Sequence, residues 1–179
     1  MVDEQPFLKH VLVSGQHPRG GLDLDSLIAT APTSPPVADT TCDDAAFWLY
    51  TSGSTGTPKG VIHHQSDLYH TACLYADQVL GITPDDRVFS AAKLFFAYGL
   101  GNAMTFPLHV GASAALLTSR PTPDAVLDML QEQETTIFFG VPTLFNAILA
   151  DEANDQSRVS ENLRLCVSCL LYTSPSPRD

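Results

Sequence analysis

The chain has 179 residues, 44% of them hydrophobic, enough for a domain that buries roughly two thirds of its unfolded surface without disulfides. Twenty acidic residues against nine basic ones give a formal charge of -11, which repels a phosphate backbone and argues against nucleic acid or an anionic membrane surface as partner. No apolar run approaches a membrane span, and Met1 to Pro6 lack the basic-then-apolar order of a secretory signal. Four cysteines, Cys42, Cys73, Cys166 and Cys169, in an ordinary composition predict reduced thiols in the cytoplasm.

In chain order, His10 to Ser14 and Ala45 to Tyr50 read as short buried strands, with a helical pattern over Leu22 to Ala29 between them. The linker Thr30 to Thr41 carries Pro32, Pro35 and Pro36, which favour extended or irregular backbone. Next comes Thr51-Ser52-Gly53-Ser54-Thr55-Gly56-Thr57-Pro58-Lys59-Gly60. Glycines let backbone N-H groups turn toward an anion, hydroxyls add donors, and the lysine brings a mobile charge. Taken alone, the string reads as a phosphate-holding loop or as a surface turn of small residues. It is no Walker A loop: counting from Gly53, Pro58 stands where that motif has its second glycine and Gly60 where it has its magnesium-binding hydroxyl.

Beyond the loop, Ser66 to Leu80 reads as a helix stopped by Gly81. Then follow a strand (Arg87 to Ala92), a helix (Gly101 to His109), a strand (Ala112 to Leu117), a helix (Asp124 to Glu132), a strand (Thr136 to Phe139), a helix (Thr143 to Ala150) and a strand (Leu163 to Ser168). This alternation predicts an α/β fold with a mostly parallel sheet flanked by helices. Ligands gather at the carboxyl ends of such strands, where the glycine loop is expected to sit. Ala91 to Asn102 places Phe95, Phe96 and Tyr98 at a strand end followed by Gly99 and Gly101, a pattern open to both core and ligand pocket. His63 and His64 are neighbours on extended backbone and point to opposite faces, so no metal site is expected of them. Cys166-x-x-Cys169 has no second pair to complete a zinc motif.

Tyr50 to Gly60 resembles the signature loop of the adenylate-forming superfamily, which comprises acyl-CoA synthetases, adenylation domains of peptide synthetases and luciferases. The string Ala91 to Asn102 is similar to that of aryl-CoA ligases, benzoate-coenzyme A ligases among them. Thr105 to Leu108, Arg120 to Asp124 and Phe139 to Thr143 read alike in the same order. The resemblance implies that Thr51, Ser52, Gly53, Ser54, Thr55, Gly56, Thr57, Lys59 and Gly60 hold the β- and γ-phosphates of ATP. It implies that Ala97 and Tyr98 contact an aryl ring, that Gly99 allows close backbone approach, and that Phe96 stands where many relatives carry a gating histidine. Gln65 departs from the family pattern, which commonly has a histidine there.

The implied reaction joins a small aryl carboxylate to AMP at the expense of Mg-ATP and passes the acyl group to coenzyme A; ATP, Mg2+ and coenzyme A are the expected cofactors. Benzoate is the expected substrate, a hydroxy- or aminobenzoate the alternative, and a non-catalytic nucleotide-binding module the alternative from another class. Residues 1 to 168 are expected to be part of an AMP-binding domain, within the large amino-terminal domain of such an enzyme. No catalytic residue is assigned within the chain, because the Thr-Glu motif and the adenylation lysine of the family have no counterpart here, and the chain alone is expected to be inactive. Residues 169 to 179 read as translated transposase adapter and are expected to carry no function.

Overall fold

The computed structural model describes residues 6–15, 21–51, 57–150 and 158–168. The chain forms two compact units, residues 1–40 and 41–179. In the first, β1 (Leu12–Val13) pairs in parallel with β2 (Leu22–Asp23), and α1 (Leu24–Thr30) follows directly. The helix expected from Leu22 starts two residues later because Asp23 stays extended and caps it. Its carboxylate accepts from the Asp25 N-H at 3.0 Å and from the Ser26 hydroxyl at 2.5 Å.

The second unit opens with an antiparallel hairpin of β3 (Ala45–Thr51) and β4 (Lys59–His64). This corrects the expected placement of the glycine loop at a strand end of the parallel sheet: the strands on either side of it, β3 and β4, pair with each other in a separate two-stranded sheet. The strand β4 was hidden from a periodicity reading because Lys59, Gly60, His63 and His64 leave only Val61 and Ile62 as an apolar signal. Next comes α2 (Gln65–Thr71), prolonged by a π-helical stretch, Ala72–Asp77. Gln65 begins this helix, its N-H donating to the Asp44 carbonyl at 3.0 Å.

The main sheet is parallel, in the order β6-β5-β7-β8, with β5 Arg87–Ser90, β6 Ser113–Ala115, β7 Ile137–Gly140 and β8 Leu165–Ser168. The helices between its strands are α3 (Ala97–Leu100), running through a π-helical turn (Gly101–Thr105) into α4 (Phe106–Val110), then α5 (Pro123–Glu132) and α6 (Pro142–Ala150). Because side chains alternate along a strand, the central strands β5 and β7 each feed two cores. Val88, Ile137 and Phe139 pack with Ala72, Ala76, Ile82 and Phe106 on one face. On the other, Phe89 and Phe138 meet Val126, Leu127, Leu130 and Leu144. The architecture is therefore α/β, with a mostly parallel sheet covered on both faces. Among the described residues no helix is long and apolar enough to cross a membrane.

The amino-terminal end of the sheet is clasped by one buried carboxylate. Asp86, just before β5, accepts from Thr136 Oγ1 at 2.6 Å, from Arg164 Nε at 2.9 Å and Nη2 at 2.7 Å, and from the Thr83 N-H at 2.8 Å. Burial opposes its ionisation. The donors from Arg164, Thr136 and Thr83 outweigh burial and hold the carboxyl well below the usual range.

Candidate functional site

The hairpin presents the glycine loop. Thr51 and Lys59 are cross-strand partners closest to its tip, and Tyr50 pairs with Gly60. A Cβ on Gly60 would lie 3.2 Å from the Tyr50 ring, so glycine lets that ring cross the strand. Thr51, Thr57, Lys59 and Gly60 are exposed, while Ser52, Gly53, Ser54, Thr55 and Gly56 lie outside the described residues. Two hydroxyls and an ammonium on the exposed residues that flank this segment are a donor set suited to phosphate oxygens. Among the described residues, no group of three or more His, Cys, Asp or Glu side chains is arranged to hold a metal ion.

Behind the tip, Phe47 and His63 stack at 4.9 Å with 13° between their rings. His63 Nδ1 lies 3.0 Å from Asp67 Oδ2, and the His64 N-H donates to the same oxygen at 3.1 Å. That backbone donor is the main cause holding the Asp67 carboxyl below its ordinary range; burial opposes it and His63 assists. The strand end and the start of α2 are thereby locked together. A largely apolar cleft of about 190 Å³ opens between this hairpin face and the helices, its walls including Phe47, His63, Leu68, Ala97 and Gly101.

The aromatic string runs from the carboxyl end of β5 through a turn into α3. Phe96 stands just before the helix, and its ring is 4.5 Å from that of Phe95; both are exposed, 58% and 75%. Ala97 lines the cleft. Tyr98 turns toward the sheet: its hydroxyl lies 3.2 Å from the Gly140 carbonyl and 3.0 Å from that of Val167, and its ring stands edge-on to Phe139 at 6.3 Å. Gly99 is buried, and a Cβ there would lie 2.1 Å from the Lys93 carbonyl oxygen and 2.7 Å from that of Ala92. Its close backbone approach is thus to its own chain. Of Phe96, Ala97, Tyr98 and Gly99, the residues expected at the aryl site, only Ala97 borders the hairpin cleft.

Two residues went unassigned in the sequence. The Lys93 ammonium donates to the carbonyls of Leu117 at 2.5 Å and Ser119 at 2.8 Å, pinning the turn after β5 to the segment after β6. Arg120 follows that segment and borders a groove at the same end of the sheet. Their one sequence signal is that cations are scarce in so acidic a chain. Cys166 lies on β8 with its thiol pushed up by burial, and Cys169, like the rest of 169–179, is outside the described residues.

The chain thus combines a parallel α/β unit with a hairpin whose connecting sequence is rich in glycines and hydroxyls and ends at Lys59. The chain belongs to the AMP-binding enzyme family, whose pattern matches residues 2–176. It is 51% identical over 169 residues to a benzoate-CoA ligase of Thauera aromatica, covering 94% of this chain and 31% of that protein. Its fold is similar to that of a benzoate CoA ligase from Burkholderia xenovorans LB400, with a TM-score of 0.76 and 47% identity over 89% of this chain and 31% of that one. It is likewise similar to the anthranilate CoA ligase AuaEII, solved with anthranoyl-AMP, with a TM-score of 0.81 and 38% identity over 91% and 32% of the two chains. The chain thus spans about a third of the length of these relatives.

Proposed function

We propose that this chain is part of an ATP-dependent aryl-CoA ligase whose substrate is benzoate. A carboxylate oxygen attacks the α-phosphorus of ATP and pyrophosphate leaves; the thiol of coenzyme A, losing its proton, then attacks the acyl carbon and AMP leaves. The observation that carries this reading is the cross-strand pairing of Thr51 with Lys59, which sets a cation at the mouth of a glycine-rich turn, in a chain 51% identical to a benzoate-CoA ligase. Thr51 to Thr57, with Gly60, would hold the phosphates by N-H and hydroxyl donors, and Lys59 would offset charge on the departing pyrophosphate. Mg2+ would arrive with ATP and neutralise further phosphate charge. Catalysis of this kind is positioning plus electrostatic stabilisation.

Phe96, Ala97, Tyr98 and Gly99 would shape the aryl site, with Ala97 in direct reach of the ring. The likeness to an anthranilate ligase supports an aminobenzoate as second substrate, and the higher identity to benzoate ligases favours benzoate. The enzyme would act in the cytoplasm, where ATP and coenzyme A are available, and the 179 residues alone would not turn over.

The test is benzoate-dependent exchange of pyrophosphate into ATP by the full-length enzyme. Lys59→Ala is expected to lower adenylation by about 100-fold, the scale of losing one preorganised charge stabiliser, with the KM for coenzyme A unchanged. Equal loss in the adenylation and thiol-transfer half-reactions would overturn the assignment of Lys59.

A further inference from the structure

The groove beside Arg120 has a volume of about 330 Å³, at the lower end of the usual range for ligand sites, about 300 to 1,000 Å³. It opens beyond the carboxyl ends of β5 and β7, between Ala91, Arg120, Pro121, Val141, Thr143 and Leu144. The Arg120 carbonyl accepts from the Thr122 N-H at 2.9 Å, while its guanidinium makes no ion pair or hydrogen bond among the described residues. The carboxylates nearest to it in sequence are engaged elsewhere: Arg158 donates to Asp124 at 2.8 Å and to Asp128 at 3.0 Å. A guanidinium left without a carboxylate, in a chain of charge -11, is a cation available to an anion from outside. Thr143, a residue with a hydroxyl donor, and the apolar Leu144 also line the groove.

The position of the groove narrows the choice of anion. Ala91, Val141 and Leu144 belong to the core layer of Phe89 and Phe138, whereas Tyr98 packs on the opposite layer, with Phe139 and Phe106. The cleft holding Ala97 joins α3 to the hairpin that carries Lys59. Acid and triphosphate are therefore expected together on the Tyr98 side of the sheet, and the Arg120 groove lies on the other.

Resting on the ligase reading, we infer that Arg120 receives the phosphate-bearing nucleotide end of coenzyme A. Of the three reactants it is the one with phosphates left to place, and planar guanidinium binds phosphate in a bidentate manner. Full-length enzyme carrying Arg120→Ala or Arg120→Gln would be assayed with coenzyme A and with pantetheine, which keeps the thiol and lacks every phosphate. The KM for coenzyme A should rise about tenfold, which is about 1.4 kcal/mol, with pantetheine kinetics and benzoate-dependent pyrophosphate exchange unchanged. Equal loss with both thiols, loss of exchange in both variants, or a KM for coenzyme A within about twofold of wild type would overturn the inference and leave the ligase reading standing. For wild type, adenosine 3′,5′-bisphosphate should compete with coenzyme A and not with ATP; competition with ATP alone would also overturn it. Absence of wild-type exchange with any aryl acid would instead remove the ligase reading itself.

Discussion

Asp86 shows how much one side chain can organise. It is 4% exposed and gathers donors from before β5, β7 and β8, so three parallel strands start in register around one carboxylate. Asp86→Asn should cost about 2 to 3 kcal/mol at neutral pH, less than the 3 to 5 of a fully buried broken pair because Arg164 is half-exposed. The folded carboxyl titrates below its unfolded value of about 3.9. Its contribution is therefore complete above that value and is lost as pH falls through the folded one. The stability gap between wild type and Asp86→Asn, read by denaturant melts, should shrink below about pH 4. A gap constant down to pH 2 would show that the charge is not what the clasp uses.

At the scale of elements, α3 is tied to the sheet by Tyr98, whose hydroxyl reaches carbonyls at the carboxyl ends of both β7 and β8. Ala97 faces the hairpin cleft from the same short helix. Tyr98→Phe keeps the ring and should lose about 1 kcal/mol of stability. Tyr98→Ala should raise the benzoate KM of the full-length enzyme about tenfold and leave the ATP KM within about twofold. Steady-state kinetics in both substrates decide, and a larger effect on ATP would remove Tyr98 from the aryl site.

For the molecule as a whole, the outer face of the β3–β4 hairpin is the exposed feature of consequence. Trp48 pairs with Ile62, and Trp48, Tyr50 and Ile62 are more than half exposed. Such a two-stranded sheet is marginal alone, and an exposed apolar face with free edges promotes association. The 179-residue chain should therefore self-associate in sedimentation velocity experiments at micromolar concentration. Trp48→Lys with Ile62→Lys should shift it toward monomer, and a monodisperse wild-type chain would refute the prediction.

What was legible in the sequence is what short-range chemistry controls. The strand patterns at Arg87 to Ala92 and Thr136 to Phe139, alternating with helical patterns, announced a parallel sheet buried on both faces. Glycines, hydroxyls and one lysine marked a donor-rich segment, because backbone freedom and donor type are local properties. Tertiary structure alone decided that the strands on either side of this segment pair as an antiparallel hairpin, that Gly99 yields to the Lys93 carbonyl, and that Asp86 meets a partner 78 residues away in Arg164. It also decided that Arg158 occupies Asp124 and Asp128 while Arg120 borders a groove. Strand pairing and ion pairing across such separations depend on which surfaces the folded chain brings together, and no spacing along the sequence encodes that choice.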